Sequence, residues 1–144
     1  MKLYLDTCVW CRPFDFPDER ILIESDAFVE VLRRADRGDF KIIGSAALLA
    51  EIEFISSQEK RGAVEALIRK ACSKILRIDE ETAELAERIM AECRVNAMDA
   101  VHIAIAAKNA DVFVTVDDEL LKKSGCLKKF IGVKNVVDVI GYEE

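Results

Sequence analysis

At 144 residues the chain falls in the size range of one domain and is long enough to bury a real core. Half of it is apolar and a third charged, yet no run approaches the roughly 18 apolar residues of a membrane span. The net charge of −6, from 21 basic and 27 acidic residues, excludes a broad basic surface for gripping phosphates.

An acidic chain can still reach phosphates if metal ions sit between its carboxylates and the substrate. Five cysteines, odd in number and scattered, do not form the framework of a small disulfide-stapled secreted domain. The segment Met1 to Asp6 has no long apolar stretch and does not read as a signal peptide, so a soluble, cytoplasmic protein is expected.

Leu3-Tyr4-Leu5, ended by Asp6-Thr7, predicts a buried strand. A loop around Pro13 and Pro17 follows. A helix then runs from about Arg20 to Arg37, with Ile21, Phe28, Val31, Leu32 and Ala35 on one face and Gly38 as its stop signal. Phe40 to Ile43 is a second strand. Gly44-Ser45 opens a helix that carries Leu48, Leu49, Ile52 and Ile55, with Ser45 as N-cap.

A third helix covers roughly Lys60 to Cys72, and Ile75 to Ile78 is a short strand. Asp79 caps a helix to about Arg94, with acids and bases biased toward the ends its dipole prefers. Met98 to Asn109 is a nearly apolar, hence buried, helix. Val112 to Val116 is a fourth strand, Asp118 to Lys123 a short helix, and Val136 to Ile140 a last strand. Such alternation predicts one α/β domain over residues 1–144, a parallel sheet with helices on both faces.

In such a fold ligand chemistry gathers beyond the carboxyl ends of the strands, near a topological switch point. Asp6 ends the first strand and Asp117 lies just beyond the fourth. Glu51 lies in the helix after the second strand, almost two turns in, and Asp99 opens the helix before the fourth. All four should face one edge, Glu51 only through its longer side chain. Converging carboxylates repel and raise one another's pKa values unless a cation intervenes. Hard oxygen ligands of this kind suit Mg²⁺ or Mn²⁺, which can activate a bound water against a phosphodiester. Taken singly, each Asp is also a common turn or cap residue; it is the convergence that argues for function.

The same residues resemble the PIN-domain family of nucleases, which includes toxin nucleases of the VapC type and RNA-processing enzymes. Leu3-Tyr4-Leu5-Asp6-Thr7 is similar to the family's opening strand. Ser45 to Glu51 resembles its segment in which a Ser precedes the acid by two helical turns. Met98-Asp99-Ala100 resembles its third motif, and Val114-Thr115-Val116-Asp117-Asp118 its fourth. The match runs in order over almost the full chain. It implies a three-layer α/β/α fold with a central five-stranded parallel sheet, Mg²⁺ or Mn²⁺ dependence, and cleavage of RNA. It assigns catalytic and metal-binding roles to Asp6, Glu51, Asp99 and Asp117, with Thr7, Thr115 and Ser45 in support.

Two positions depart from the pattern. Cys8 stands where many members have Asn, and Leu120 where many VapC-type members have an acid; Asp118 is a substitute ligand for that second place. Arg12, Lys122 and Lys123 are candidate phosphate contacts for RNA, against the plain alternative of solvated surface cations. His102, one turn after Asp99, could be a ligand or a partner of one, but a hydrogen-bonded core residue is the simpler reading. Phe28-Val31-Leu32 is most simply core packing; a surplus apolar stripe could serve a homodimer or an antitoxin peptide. The expected partners are thus RNA, an antitoxin if the chain is a toxin, and a second copy, with no membrane.

Rival readings fare worse. Cys8-Val9-Trp10-Cys11 invites a redox site, but the prolines argue for a loop rather than the helix start that such a motif occupies. Zinc lacks a second close Cys/His pair. A phosphotransfer receiver wants paired acids at its first strand, where this chain has a single Asp. A catalytically weak module that binds RNA or protein is the main alternative to a metal-dependent endoribonuclease.

Overall fold

A computed structural model of the chain describes residues 1–142. Five parallel strands form one sheet in the order β3-β2-β1-β4-β5. They are β1 (Lys2–Leu5), β2 (Lys41–Ser45), β3 (Cys72–Leu76), β4 (Val112–Thr115) and β5 (Gly132–Asn135). Central β1 is buried from Leu3 to Leu5, as its unbroken apolar run requires, whereas edge strand β3 exposes three of its five residues.

Helices cover both faces, giving three α/β/α layers. On one side α2 (Glu19–Asp36) packs with α1 (Thr7–Cys11), α4 (Gln58–Ala71) and α9 (Val136–Tyr142). In the other group α5 (Glu80–Cys93) packs with α6 (Ala97–Asn109) and α8 (Ser124–Leu127). The remaining helices, α3 (Ala46–Ile52) and α7 (Asp118–Lys122), follow β2 and β4 directly.

Local chemistry explains the main boundaries. Asp18 caps α2 by accepting the Ile21 N–H at 2.7 Å, and Asp79 caps α5 through Thr82 at 2.7 Å. At the far end of α2, Gly38 takes φ +93°, a left-handed conformation that glycine adopts without steric cost. Gly44 is required for a different reason. A Cβ there would come within 2.7 Å of Cys72 Sγ, so only glycine lets β2 and β3 lie this close.

Chain order explains where ligands can bind. From β1 the sheet grows toward β2 and β3 on one side and toward β4 and β5 on the other. The switch point therefore lies between β1 and β4, at their carboxyl ends. Asp6 extends this seam by donating its N–H to Val114 O at 2.8 Å.

Three sequence-based expectations need correction. The loop expected around Pro13 and Pro17 is confined to residues 15–18: Thr7–Cys11 is helical and Pro13 sits in the 3₁₀ turn Arg12–Phe14 that follows. Proline is tolerated in a first turn, where no intrahelical N–H is needed. The strand expected at Ile75–Ile78 begins earlier, at Cys72, because its pairing with β2 starts at Ile42↔Cys72. The last strand is Gly132–Asn135, and Val136–Tyr142 is helix. Val136 and Val139 are buried, at helical spacing, while Asp138 is exposed. Asn135 marks the change by accepting the Val137 N–H at 2.9 Å.

One feature lies outside the sequence reading. Cys93 and Cys126 form a disulfide, with Cα atoms 5.7 Å apart, that ties α5 to α8. On α2, Phe28 and Val31 are fully buried core residues, whereas Leu22, Ile23 and Val29 are exposed. No helix among the described residues is long and apolar enough to cross a membrane.

Candidate metal centre

Asp6 sits at the switch point. It ends β1 and caps α1, accepting the Thr7 N–H at 2.9 Å through Oδ1. Its other oxygen, Oδ2, accepts the Thr115 hydroxyl at 2.9 Å and the Cys8 thiol at 3.4 Å. The residue is 5% exposed. Burial pushes its pKa upward, and nearby His102 and the Thr115 hydrogen bond pull against that shift. A cation at Oδ2 would relieve the same cost.

Glu51 lies near the end of α3, and its reach is met by groups that come to it. Oε1 accepts the Thr7 hydroxyl and, at 2.9 Å, is bonded to His102 Nε2. The His102 bond is the main cause that holds its pKa below the ordinary value, opposed by partial burial. Ser45, the N-cap, fixes the start of the same short helix by accepting the Leu48 N–H at 3.1 Å.

Asp99 lies in the first turn of α6, where its N–H is capped by Asn96 Oδ1 at 2.8 Å. Burial raises its pKa to about 6, and repulsion from Asp6, Asp117 and Glu51 adds to the rise. That repulsion puts Asp99 in one electrostatic field with the other three acids. Asp117 caps α7 by accepting the Glu119 N–H at 2.9 Å, and its own N–H donates to Thr115 Oγ1 at 3.1 Å. Thr115 therefore touches both acids of the β1–β4 seam.

Repulsion links Asp99 to the other three acids, but of the four only Asp6 and Glu51 join a close donor cluster among the described residues. Donor atoms of Asp6, Glu51 and His102 lie within 4.8 Å of one another, a spacing that suits one cation. The donor chemistry fits a divalent ion: carboxylates in partial burial, whose mutual repulsion raises Asp99, are the oxygen set that hard cations take.

Other sequence candidates are engaged elsewhere. Asp118 is exposed and bound by Arg20 through both oxygens, at 2.8 and 2.9 Å, which lowers its pKa. Arg12 is held between Glu24 at 2.8 Å and Asp15 at 3.0 Å. Lys122 pairs with Glu119 at 3.4 Å, and Lys123 Nζ donates to the Arg94 carbonyl. A phosphate would compete with these partners.

Two buried polar residues carry more than the sequence reading assigned them. His102, fully buried, bonds Glu51 rather than merely filling the core. Glu24, 3% exposed, gathers Arg12, Arg20 and Asn135, the last at 2.8 Å. A signal for Glu24 existed: it is one turn after Ile21 and one before Phe28, on the apolar face of α2. Cys8 and Cys11 are unbridged. They do lie in a helix, but burial raises both thiols, the opposite of what a redox thiol needs.

A family model described as PIN domain matches residues 3–125. Among solved structures the chain is similar to FitAcB from Neisseria gonorrhoeae, at 20% identity and a TM-score of 0.61, over 93% of this chain and 97% of that one. It is also similar to VapBC2 from Rickettsia felis, bound to a DNA fragment from their promoter, at 14% identity and a TM-score of 0.64, over 94% and 98%. A third is FitAB bound to an IR36 DNA fragment, at 20% identity and 0.62, over 94% and 95%. No curated protein matches the sequence. At these identities the structural likeness bears on the fold alone.

Proposed function

The chain belongs to the PIN-domain family, whose members are generally nucleases, and from that premise we propose that it is a metal-dependent endoribonuclease. The observation that carries this reading is the gathering of Asp6 and Glu51 with His102 within 4.8 Å, beside an Asp99 whose pKa the charges of Asp6 and Glu51 help to raise. Asp6, Glu51, Asp99 and Asp117 would hold Mg²⁺ or Mn²⁺, with Asp118 in reserve. Such an ion, when bound, lowers the pKa of a coordinated water and neutralises charge on a phosphodiester.

The chain's own residues prepare that site. Thr115 fixes Asp6 and the backbone of Asp117 together. Thr7 ties Glu51 to the start of α1, and Ser45 anchors α3. Arg12 and Lys122 would meet RNA phosphates by leaving their acidic partners, and Lys123 by leaving the Arg94 carbonyl, which makes binding salt-sensitive. The whole chain acts as one nuclease domain in the cytoplasm.

The partner reading follows the neighbours, which are toxin–antitoxin proteins. We infer an antitoxin partner and a homodimer, for which Leu22, Ile23 and Val29 of α2 supply exposed apolar surface.

Incubating the protein with a mixed RNA pool in Mg²⁺, Mn²⁺ or EDTA tests the activity. Cutting that needs metal and is lost in both Asp6→Asn and Asp99→Asn is the expected result. Cutting that survives in both variants overturns the site assignment. RNA retention without cutting favours a binding module instead.

A further inference from the structure

His102 is the chain's single histidine, and both its ring nitrogens are engaged. Nε2 lies 2.9 Å from Glu51 Oε1 and Nδ1 lies 2.6 Å from the Tyr4 hydroxyl. That hydroxyl is 2.7 Å from Ser45 Oγ, which accepts the Leu48 N–H at 3.1 Å. Tyr4, Ser45 and His102 are each fully buried.

The hydrogens can be placed from these contacts. Glu51 Oε1 is a carboxylate oxygen, so Nε2 carries the hydrogen and donates it. Nδ1 then accepts, and the Tyr4 hydroxyl supplies its hydrogen. The Tyr4 oxygen in turn accepts from Ser45, whose own oxygen accepts from Leu48. All donors point one way, toward Glu51, and each has an acceptor. In the reversed order Tyr4 would donate to Ser45, whose hydrogen would then find no acceptor among the hydrogen bonds of the described residues. A buried hydroxyl without a partner is costly.

The chain of bonds also closes on itself. Ser45 caps α3 and Glu51 lies in the last turn of α3. Tyr4 of β1 and His102 of α6 therefore tie the start of that helix to its end. Among the described residues the donors to Glu51, Thr7 and His102, both take Oε1, which leaves Oε2 open.

We propose that His102 is a positioning residue and not a ligand: the line Ser45–Tyr4–His102 holds the Glu51 carboxylate so that Oε2 faces a divalent cation. The inference rests on the reading of this edge as a cation site. It assigns Tyr4 a role that the four acids do not reveal. Ligand-orienting partners of this kind are worth about 10–100-fold in metal affinity.

A long-range ¹⁵N–¹H spectrum tests it without assignment, because one histidine gives one pattern. The metal-free protein should show the Nε2–H tautomer alone, and saturating Mg²⁺ should leave that hydrogen in place. Tyr4→Phe, checked for folding by circular dichroism, should keep the Nε2–H that Glu51 accepts, shift the Nδ1 resonance as that nitrogen loses its donor, and weaken Mg²⁺ binding by about 10–100-fold. An Nδ1–H tautomer in the parent, or loss of the Nε2 hydrogen on adding Mg²⁺, overturns the proposal. So does a folded Tyr4→Phe with a parental Nδ1 resonance and Mg²⁺ affinity; should that variant not fold, the parent spectra alone decide. A protein that binds Mg²⁺ with the Nε2–H tautomer yet leaves RNA uncut would overturn the nuclease reading and support the positioning role.

Discussion

Thr115 donates its hydroxyl hydrogen to Asp6 Oδ2 at 2.9 Å, joining residues 109 positions apart across the β1–β4 seam. Thr115 Oγ1 in turn accepts the Asp117 N–H at 3.1 Å. Thr115→Val keeps the side-chain shape and removes both bonds at once. Near neutral pH it should destabilise the metal-free protein by about 1–3 kcal/mol, because a buried carboxylate loses a donor. Urea unfolding measures the change, and a variant as stable as the parent would show that this bond carries nothing.

Asp6→Asn should separate activity from stability. The carboxylate is buried and its pKa is raised, so its ionised form costs folding energy. A near-isosteric neutral side chain removes that cost. RNA cleavage should fall by on the order of 100-fold or more, while the metal-free melting temperature holds or rises. Thermal melts with and without Mg²⁺ read both effects: the ion should raise the melting temperature of the parent and leave the variant unmoved.

Asp99 gives the metal-free protein a pH signature. Its pKa stands at about 6 against an ordinary 3.8, so between those values the folded state binds more protons than the unfolded state. The stability it contributes is therefore fully present below about pH 4 and is lost as pH rises through 6. A shift of this size corresponds to about 3 kcal/mol, which solvent screening at a half-buried group reduces to about 1. Asp6 acts with the same sign. Glu51, held below its ordinary value, acts with the opposite sign, and only below about pH 4.5. Melts in EDTA should thus fall from pH 5 to pH 7, and Asp99→Asn should flatten the slope. A parent whose stability rises over that interval contradicts the electrostatic picture.

Asp117 and Asp118 are adjacent but not equivalent. Asp117 shares Thr115 with Asp6, while Asp118 is exposed and spent on Arg20. Asp118→Asn should change stability by less than about 1 kcal/mol, as expected for a surface pair, and keep most cleavage. Asp117→Asn should lose it. Parallel RNA-cleavage assays decide, and the reverse ranking would make Asp118 the ligand.

The sequence carried the parts of this site that obey local rules. Asp6 follows an unbroken apolar strand, Asp99 opens a buried helix, and Ser45 is an N-cap; each is readable from its neighbours alone. Where the reading stopped, distance along the chain is the reason. The bond between Glu51 and His102 spans 51 positions and that between Tyr4 and His102 spans 98. Glu51 therefore looked like the most remote acid, yet two donors hold it. The C-terminal error has a local cause. Gly132–Asn135 is short and only partly buried, with few apolar residues, whereas Val136-Val137-Asp138-Val139-Ile140 is apolar enough to pass for the strand itself. The Cys93–Cys126 bond was hidden because five scattered cysteines give no pairing by spacing.

In the proposed site, four acids from distant segments hold one divalent cation. Calorimetric titration of Mn²⁺ into the parent and into Asp6→Asn, Glu51→Gln, Asp99→Asn and Asp117→Asn tests it most directly. Mn²⁺ should bind the parent and bind each variant about tenfold or more weakly. Unchanged Mn²⁺ affinity in both Asp6→Asn and Asp99→Asn would contradict this arrangement.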